Sequence, residues 1–338
     1  MRSTVLPLLR LRRLGRRALL AAASMSVASP VLAQGARVRR VGFLSSFPED
    51  DGDTKWRTTA LVKRLDALGW RVGHNLKMEY GYAYGDAASI AAAVKDMVAR
   101  APDVIVTVSN PVALALARET QTIPVVFASV ADPVGSGIVS SLARPGGNVT
   151  GFANMEPSIG GKWIELLKEA KPSLRRVLAL HHAPTPAHQS FLRAAQAAAP
   201  GLGITVEPAS VNTAAEIAVA IAAFGDDPAG GVMAMPHPVT ATGRRAIVEH
   251  ATRQRLPSIA AFRYFAAAGM LMSYGNDGRD LFDRAVEYAD RILRGTRPGE
   301  LPVQTPTRVE LFINLKAART IGLELSATLL ARADEIID

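Results

Sequence analysis

From Arg39 onward, short apolar runs alternate with longer stretches in which apolar residues recur every three or four positions. The runs are VGFL (41–44), VIVTV (104–108), VVFA (125–128), VLAL (177–180), GVMAM (231–235), SIAAF (258–262) and MLMS (270–273). Most are continuously apolar, the pattern of strands covered on both faces in a parallel sheet. Between them lie helical stripes. Leu61, Leu65 and Leu68 form one, ended by Gly69; Ile90, Val94, Met97 and Val98 form another; Phe282, Val286, Ala289 and Leu293 form a third, ended by Gly295. Strand and helix in alternation predict an α/β fold, doubly wound.

A finer pattern repeats. VTVSN leads into Pro111, ASVAD into Pro133, HHAPT into Pro186 and AMPH into Pro238. Each is a strand, a short polar residue able to cap, and a proline suited to the first helical turn. Two fall before residue 150 and two after, so two lobes of similar design are expected, each presenting the carboxyl ends of its strands, where ligands bind in open α/β sheets. ARPGGNVTGFAN (143–154) is expected to cross between lobes as a polar, Gly-loosened segment, SYGNDG (273–278) to cross back, and RPGELPVQTPT (297–307) to be a third crossing. The expected organisation is 38–152 plus 273–300 for the N-terminal lobe, 153–272 for the C-terminal lobe, and 301–338 as a segment crossing or packing on the lobes.

The first 33 residues stand apart. Six arginines and no acid precede the short apolar stretch ALLAAASMSVASPVLA, with small residues before Gln34. This is the layout of a secretory signal peptide cleaved near Ala33, and Ser24, Ser26, Ser29 and Pro30 interrupt what a membrane span would need, about 20 apolar residues. Removing the six arginines reduces the formal +9 to +3. The remaining chain carries no basic stripe with interleaved aromatics, so no nucleic-acid partner is expected. No cysteine is present, which excludes disulfides, thiolate chemistry and a lipid-modified cysteine. A soluble periplasmic monomer is the expectation.

Candidate chemistry gathers at the strand ends. Ser45, Ser46, Ser109 and Ser129 close apolar runs, and no G-x-S-x-G elbow surrounds them. Asn110 and Asp132 stand as caps before prolines; a neutral cap could share a helix end with an anion, and a carboxylate cap would welcome an ammonium. The alternative is that both only cap helices. His181, His182 and His237 end second-lobe runs, with His188 nearby. They either line a polar cleft or form a metal-dependent enzyme site, although no H-E-x-x-H spacing is present. Tyr264 follows a strand and either stacks on a ligand or packs. The glycine-rich stretches match neither nucleotide fingerprint, so no cofactor is expected.

Several blocks resemble a known family. RRVGFLSS, LDALGWRVGHNLKMEY, VIVTVSNPVALAL, TIPVVFASVADPVGSGIVSSLARPGGNVTGFAN, GMLMSYG, RILRGTRPGELPVQTPTRVELFINLKAARTIGLEL and LLARADEIID are similar to the extracytoplasmic solute-binding proteins of the ABC-transporter substrate-binding family that includes tryptophan- and phenylalanine-binding members. The resemblance runs from about Arg39 to the C-terminus. It implies a type I periplasmic-binding-protein fold with two Rossmann-like lobes and a cleft, capture of a small solute such as an amino acid by hinge closure, and delivery to a membrane permease. A partner that senses the loaded protein is the alternative. By resemblance the binding positions are Ser45, Ser46, Ser109, Asn110, Ser129 and Asp132. The second lobe departs from the pattern: HHAPT stands where amino-acid-binding members tend to show a Tyr-Asn-Pro type turn, and MPHP where they tend to show an Asp or Asn pair.

Overall fold

The computed structural model describes residues 37–276, 278–306 and 308–338; the expected leader lies outside them. The first lobe is built from β1 (Arg39–Ser45), α1 (Gly52–Ala67), β2 (Leu76–Tyr82), α2 (Ala87–Ala99), β3 (Val104–Val108), α3 (Asn110–Glu119), β4 (Val125–Ala131) and β5 (Val149–Met155). Its five strands run parallel in the order β2-β1-β3-β4-β5. The second lobe follows with α4 (Ile159–Ala170), β6 (Arg176–His181), α5 (Pro186–Ala198), β7 (Thr205–Ser210), α6 (Ala214–Phe224), β8 (Gly230–Ala234), α7 (Pro238–Thr242), α8 (Arg244–Arg253), β9 (Ser258–Ala260), α9 (Arg263–Ala268) and β10 (Met272–Gly275). Helix α10 (Gly278–Leu293) returns to the first lobe. The chain then closes the second sheet with β11 (Glu310–Asn314), α11 (Leu315–Thr320), α12 (Ala327–Ala331) and β12 (Glu335–Ile337). That sheet runs β12-β11-β10-β9-β8-β6-β7, with β10 and β11 antiparallel.

Burial on both faces explains the continuous apolar runs. Val104 and Val106 point into the layer shared with α1 and α10, whereas Ile105 packs on the opposite side with α2 and α3. In the second lobe Val177 and Ala179 face α4 and α5, while Leu178 and Leu180 face α6 and α8. Successive strand residues thus serve opposite layers, both mainly apolar, and the buried Thr107 hydroxyl on β3 donates to the Leu44 carbonyl at 2.9 Å.

Three expectations need correction. The segment 143–154 is only partly a loop: Val149–Met155 forms β5, and all seven residues are buried. Its VTGFANM composition is too mixed to read as a core strand, but Gly151 lets it close on β4, since a β-carbon there would stand 2.0 Å from the Phe127 carbonyl oxygen. No helix follows Pro133; residues 133–137 form turns instead. Ser273–Gly275, expected in the first lobe, pair with β9 and β11 in the second sheet. The chain passes between sheets after Met155, after Gly275 and after Gln304. Before the last passage Gln304 lies beside β5, accepting from the Ala153 N–H at 2.8 Å and donating its own N–H to Gly151 at 3.1 Å.

Candidate functional site

The carboxyl ends of β1, β3 and β4 carry the serines, but these do different work. The Ser45 hydroxyl accepts from the Phe47 N–H at 3.1 Å and pairs with the Thr54 hydroxyl at 2.9 Å, tying β1 to α1. Ser46 is fully buried and its hydroxyl has no partner. Ser109 sits at φ 74° and ψ 147° and makes no side-chain cap bond; its hydroxyl is also buried and unpartnered. Ser129 (φ 63°) occupies an irregularity in the β4–β5 register, between Ala128 and Val130. Backbone strain of this kind gathers where side chains are aimed at a ligand.

Asn110 and Asp132 are not the helix caps expected of them. Asn110 clamps two strand ends: its amide donates to the Ala131 carbonyl at 2.5 Å, and its Oδ1 accepts from the Ala131 N–H at 2.8 Å. Asp132 turns back on its own loop, accepting from the Gly135 N–H at 3.0 Å. The zwitterion-binding pair expected of these two is therefore largely committed to internal bonds.

The second-lobe histidines form a stacked group. The rings of His182 and His237 lie 4.1 Å apart and nearly parallel, with His188 edge-on to His237 at 5.8 Å. His188 Nδ1 accepts from the His182 N–H at 2.8 Å, which places its proton on Nε2, against the Pro236 carbonyl at 3.2 Å. Burial drives its pKa down to about 3. His237 Nδ1 accepts from the Val239 N–H at 3.2 Å, capping α7, so its proton too is on Nε2, which is buried without a partner. Its pKa falls to about 2, first through burial and then through His182 and His188. His181 is pushed down by burial, and its Nδ1 is likewise unpartnered. These are neutral imidazoles offering hydrogen bonds. Among the described residues no three His, Asp or Glu side chains converge as metal ligands.

Two further asparagines lie where the chain changes lobes. Asn154, near the end of β5, donates to the Ser129 carbonyl at 3.1 Å and leaves Oδ1 buried and unpartnered. Asn276 follows β10, and neither of its amide atoms has a partner. The Ser273 hydroxyl is in the same state. Sequence reasoning missed all three, because polar residues in a predicted crossing carry no signal of burial. Tyr264 is half-open to solvent and stacks on Phe265, with Arg244 over its ring. Arg57, also missed, pairs with Asp53 at 2.8 Å and keeps Nη1 buried and unpartnered.

The lobes touch across these ends. Phe47 packs against the second-lobe core, and a β-carbon at Gly85 would stand 3.3 Å from Pro238 Cβ. An open groove of about 790 Å³ beside Trp70, Tyr80 and Tyr82 lies away from them, on the outer side of β2. Buried polar groups without partners are costly and rare in folded proteins. Ser46, Ser109, Asn154, His181, His237, Ser273 and Asn276 each hold such a group at a strand end or at a passage between the lobes.

A tyrosine-binding protein of Clostridioides difficile (strain R20291) is 26% identical over 264 residues, 78% of this chain and 75% of that protein. The crystal structure of a conserved domain protein from Vibrio cholerae superposes with a TM-score of 0.81 at 27% identity, covering 89% of this chain and all of the other. An ABC domain in complex with L-Trp from Streptococcus pneumonia gives the same TM-score at 24% identity, over 88% of this chain and 99% of that one. The fold is that of type I periplasmic binding proteins. Residues 47–337 match the family described as ABC transporter substrate binding protein, and the chain belongs to that family.

Proposed function

We propose that this protein captures an amino acid or a closely related small carboxylate in the cleft between its lobes, closes about it by a hinge motion, and presents it to the membrane permease of an ABC importer. The observation that carries the reading is the set of buried, unpartnered hydroxyl, amide and imidazole groups contributed by both lobes and by the passages between them. Such groups suit a small polar solute: each gains a partner when the solute arrives, and the solute is held from both sides. The similarity to a tyrosine-binding protein supports the amino-acid class. The basic, then apolar N-terminus supports export to the periplasm, with cleavage near Ala33.

The test is a thermal-shift screen of protein recovered from the periplasm against the proteinogenic amino acids, small carboxylates and sugars, with intact-mass measurement to locate the cleavage point. A solute at ~100 times its Kd stabilises the fold by about 2.7 kcal/mol, a readily measured rise in Tm. A shift with one amino acid or carboxylate is expected. A shift with sugars alone overturns the solute class.

A further inference from the structure

We infer that the ammonium group of the solute is held by the passage asparagines, Asn154 and Asn276, rather than by the carboxylate of Asp132. The inference deepens the proposed function and rests on its amino-acid reading.

Asn154 is 3% exposed and has one fixed orientation. The atom facing the Ser129 carbonyl must be the amide nitrogen, since two facing oxygens would repel; the contact is 3.1 Å. The opposite atom, Oδ1, is therefore an acceptor, and it is buried with nothing donating to it. Asn276 is 5% exposed, and both ends of its amide are unpartnered, so in either orientation it offers one acceptor and one donor. Asn154 borders Ser129, and the start of α10, just beyond Asn276, approaches it. Asn154 also bonds the Ser129 hydroxyl, at 3.3 Å, and a β-carbon on Gly278, two residues beyond Asn276, would come within 3.8 Å of the same oxygen.

Amide oxygens that lack donors accept an ammonium, and the remaining Asn276 N–H suits the carboxylate beside it. A primary amide thus matches the paired donor and acceptor of an amino-acid head group without a buried formal charge, whose desolvation would be costly. Asp132 is less suited, because its Oδ1 already accepts from the Gly135 N–H and its carboxylate lies against Gly135. The placement also has a mechanical consequence. Asn154 and Asn276 lie where the chain passes between the two sheets, so a head group bridging them would favour one lobe arrangement over others.

The experiment is calorimetric titration of the protein and of its Asn154→Ala and Asn276→Ala variants, using L-tyrosine first, then the other proteinogenic amino acids, and for the strongest binder its deaminated counterpart. Wild type is expected to bind the amino acid at least tenfold more tightly than the deaminated acid. Each variant is expected to lose about tenfold or more for the amino acid, with little change for the deaminated acid, so that discrimination collapses. The Asn276 side chain makes no hydrogen bond within the protein, so Asn276→Ala removes no side-chain bond from the fold and keeps the test sound if Asn154→Ala is unstable. Equal wild-type binding of the two solutes overturns this assignment while leaving a carboxylate-binding function intact. So do variants that weaken both solutes alike or neither. A wild-type protein that binds no amino acid and no deaminated acid overturns the amino-acid reading, and this assignment with it.

Discussion

Ser109 holds a backbone conformation, φ 74° and ψ 147°, that costs a side-chain-bearing residue on the order of 1–3 kcal/mol and is natural only to glycine. The hydroxyl it carries is buried and has no partner within the protein. Ser109→Gly is therefore expected to raise unfolding stability by about 1 kcal/mol in a denaturant melt while weakening solute binding; loss of stability would show that the strain is offset locally. The buried histidines make a second residue-scale prediction. The folded pKa values of His188, about 3, and His237, about 2, lie below the ordinary 6.5, so the unfolded chain takes up protons first as pH falls. Stability from these two is full above pH 6.5 and declines below it, with a slope approaching about 1.4 kcal/mol per pH unit for each. Melts at pH 7 and pH 5 should show that loss, and His188→Asn should reduce the difference between them. An unchanged difference would mean that other groups dominate.

At the scale of elements, the strand ends are held together by side chains as much as by ladders. Asn110 substitutes for backbone pairing between the ends of β3 and β4, meeting both the carbonyl and the N–H of Ala131. Asn110→Ala leaves a buried donor and acceptor to find water, so about 2–3 kcal/mol of stability should be lost in a denaturant melt. Gly151→Ala should cost more, because the added carbon meets backbone at 2.0 Å rather than a side chain that can swing away. These two residues show what was legible. Continuous apolar runs revealed the central strands because burial on both faces leaves no other pattern, and proline after a polar residue located α3, α5 and α7. The same rule failed at Asp132, where the carboxylate bonds three residues ahead within a turn and no helix follows. Asn110 has the look of a local cap, yet its partner lies on the neighbouring strand, a relation that only the folded sheet creates. Edge strands β2 and β7 and the mixed strand β5 escaped notice because one exposed face, or a glycine required by close packing, breaks the apolar run.

For the whole molecule, the arrangement of the lobes decides whether the buried polar groups find a partner in water or in a solute. In the described arrangement Gly85 of the first lobe abuts Pro238 of the second, and Phe47 packs into the second-lobe core. Separating the lobes would hydrate His181, His237 and Ser109 and supply the bonds they lack within the protein. A solute that fills those bonds shifts the balance toward closure by its differential affinity for the closed form. Gly85→Asn tests this directly. Asparagine tolerates positive φ, here 83°, but its side chain would project into the space against Pro238 and resist approach of the lobes. Small-angle scattering should show the wild type contracting when its amino acid is added, with the variant staying extended. The variant's affinity should fall about tenfold as the binding-competent fraction drops, while its melting temperature without solute stays near that of the wild type. A variant that contracts and binds like the wild type would place the closing contact elsewhere on the lobe faces.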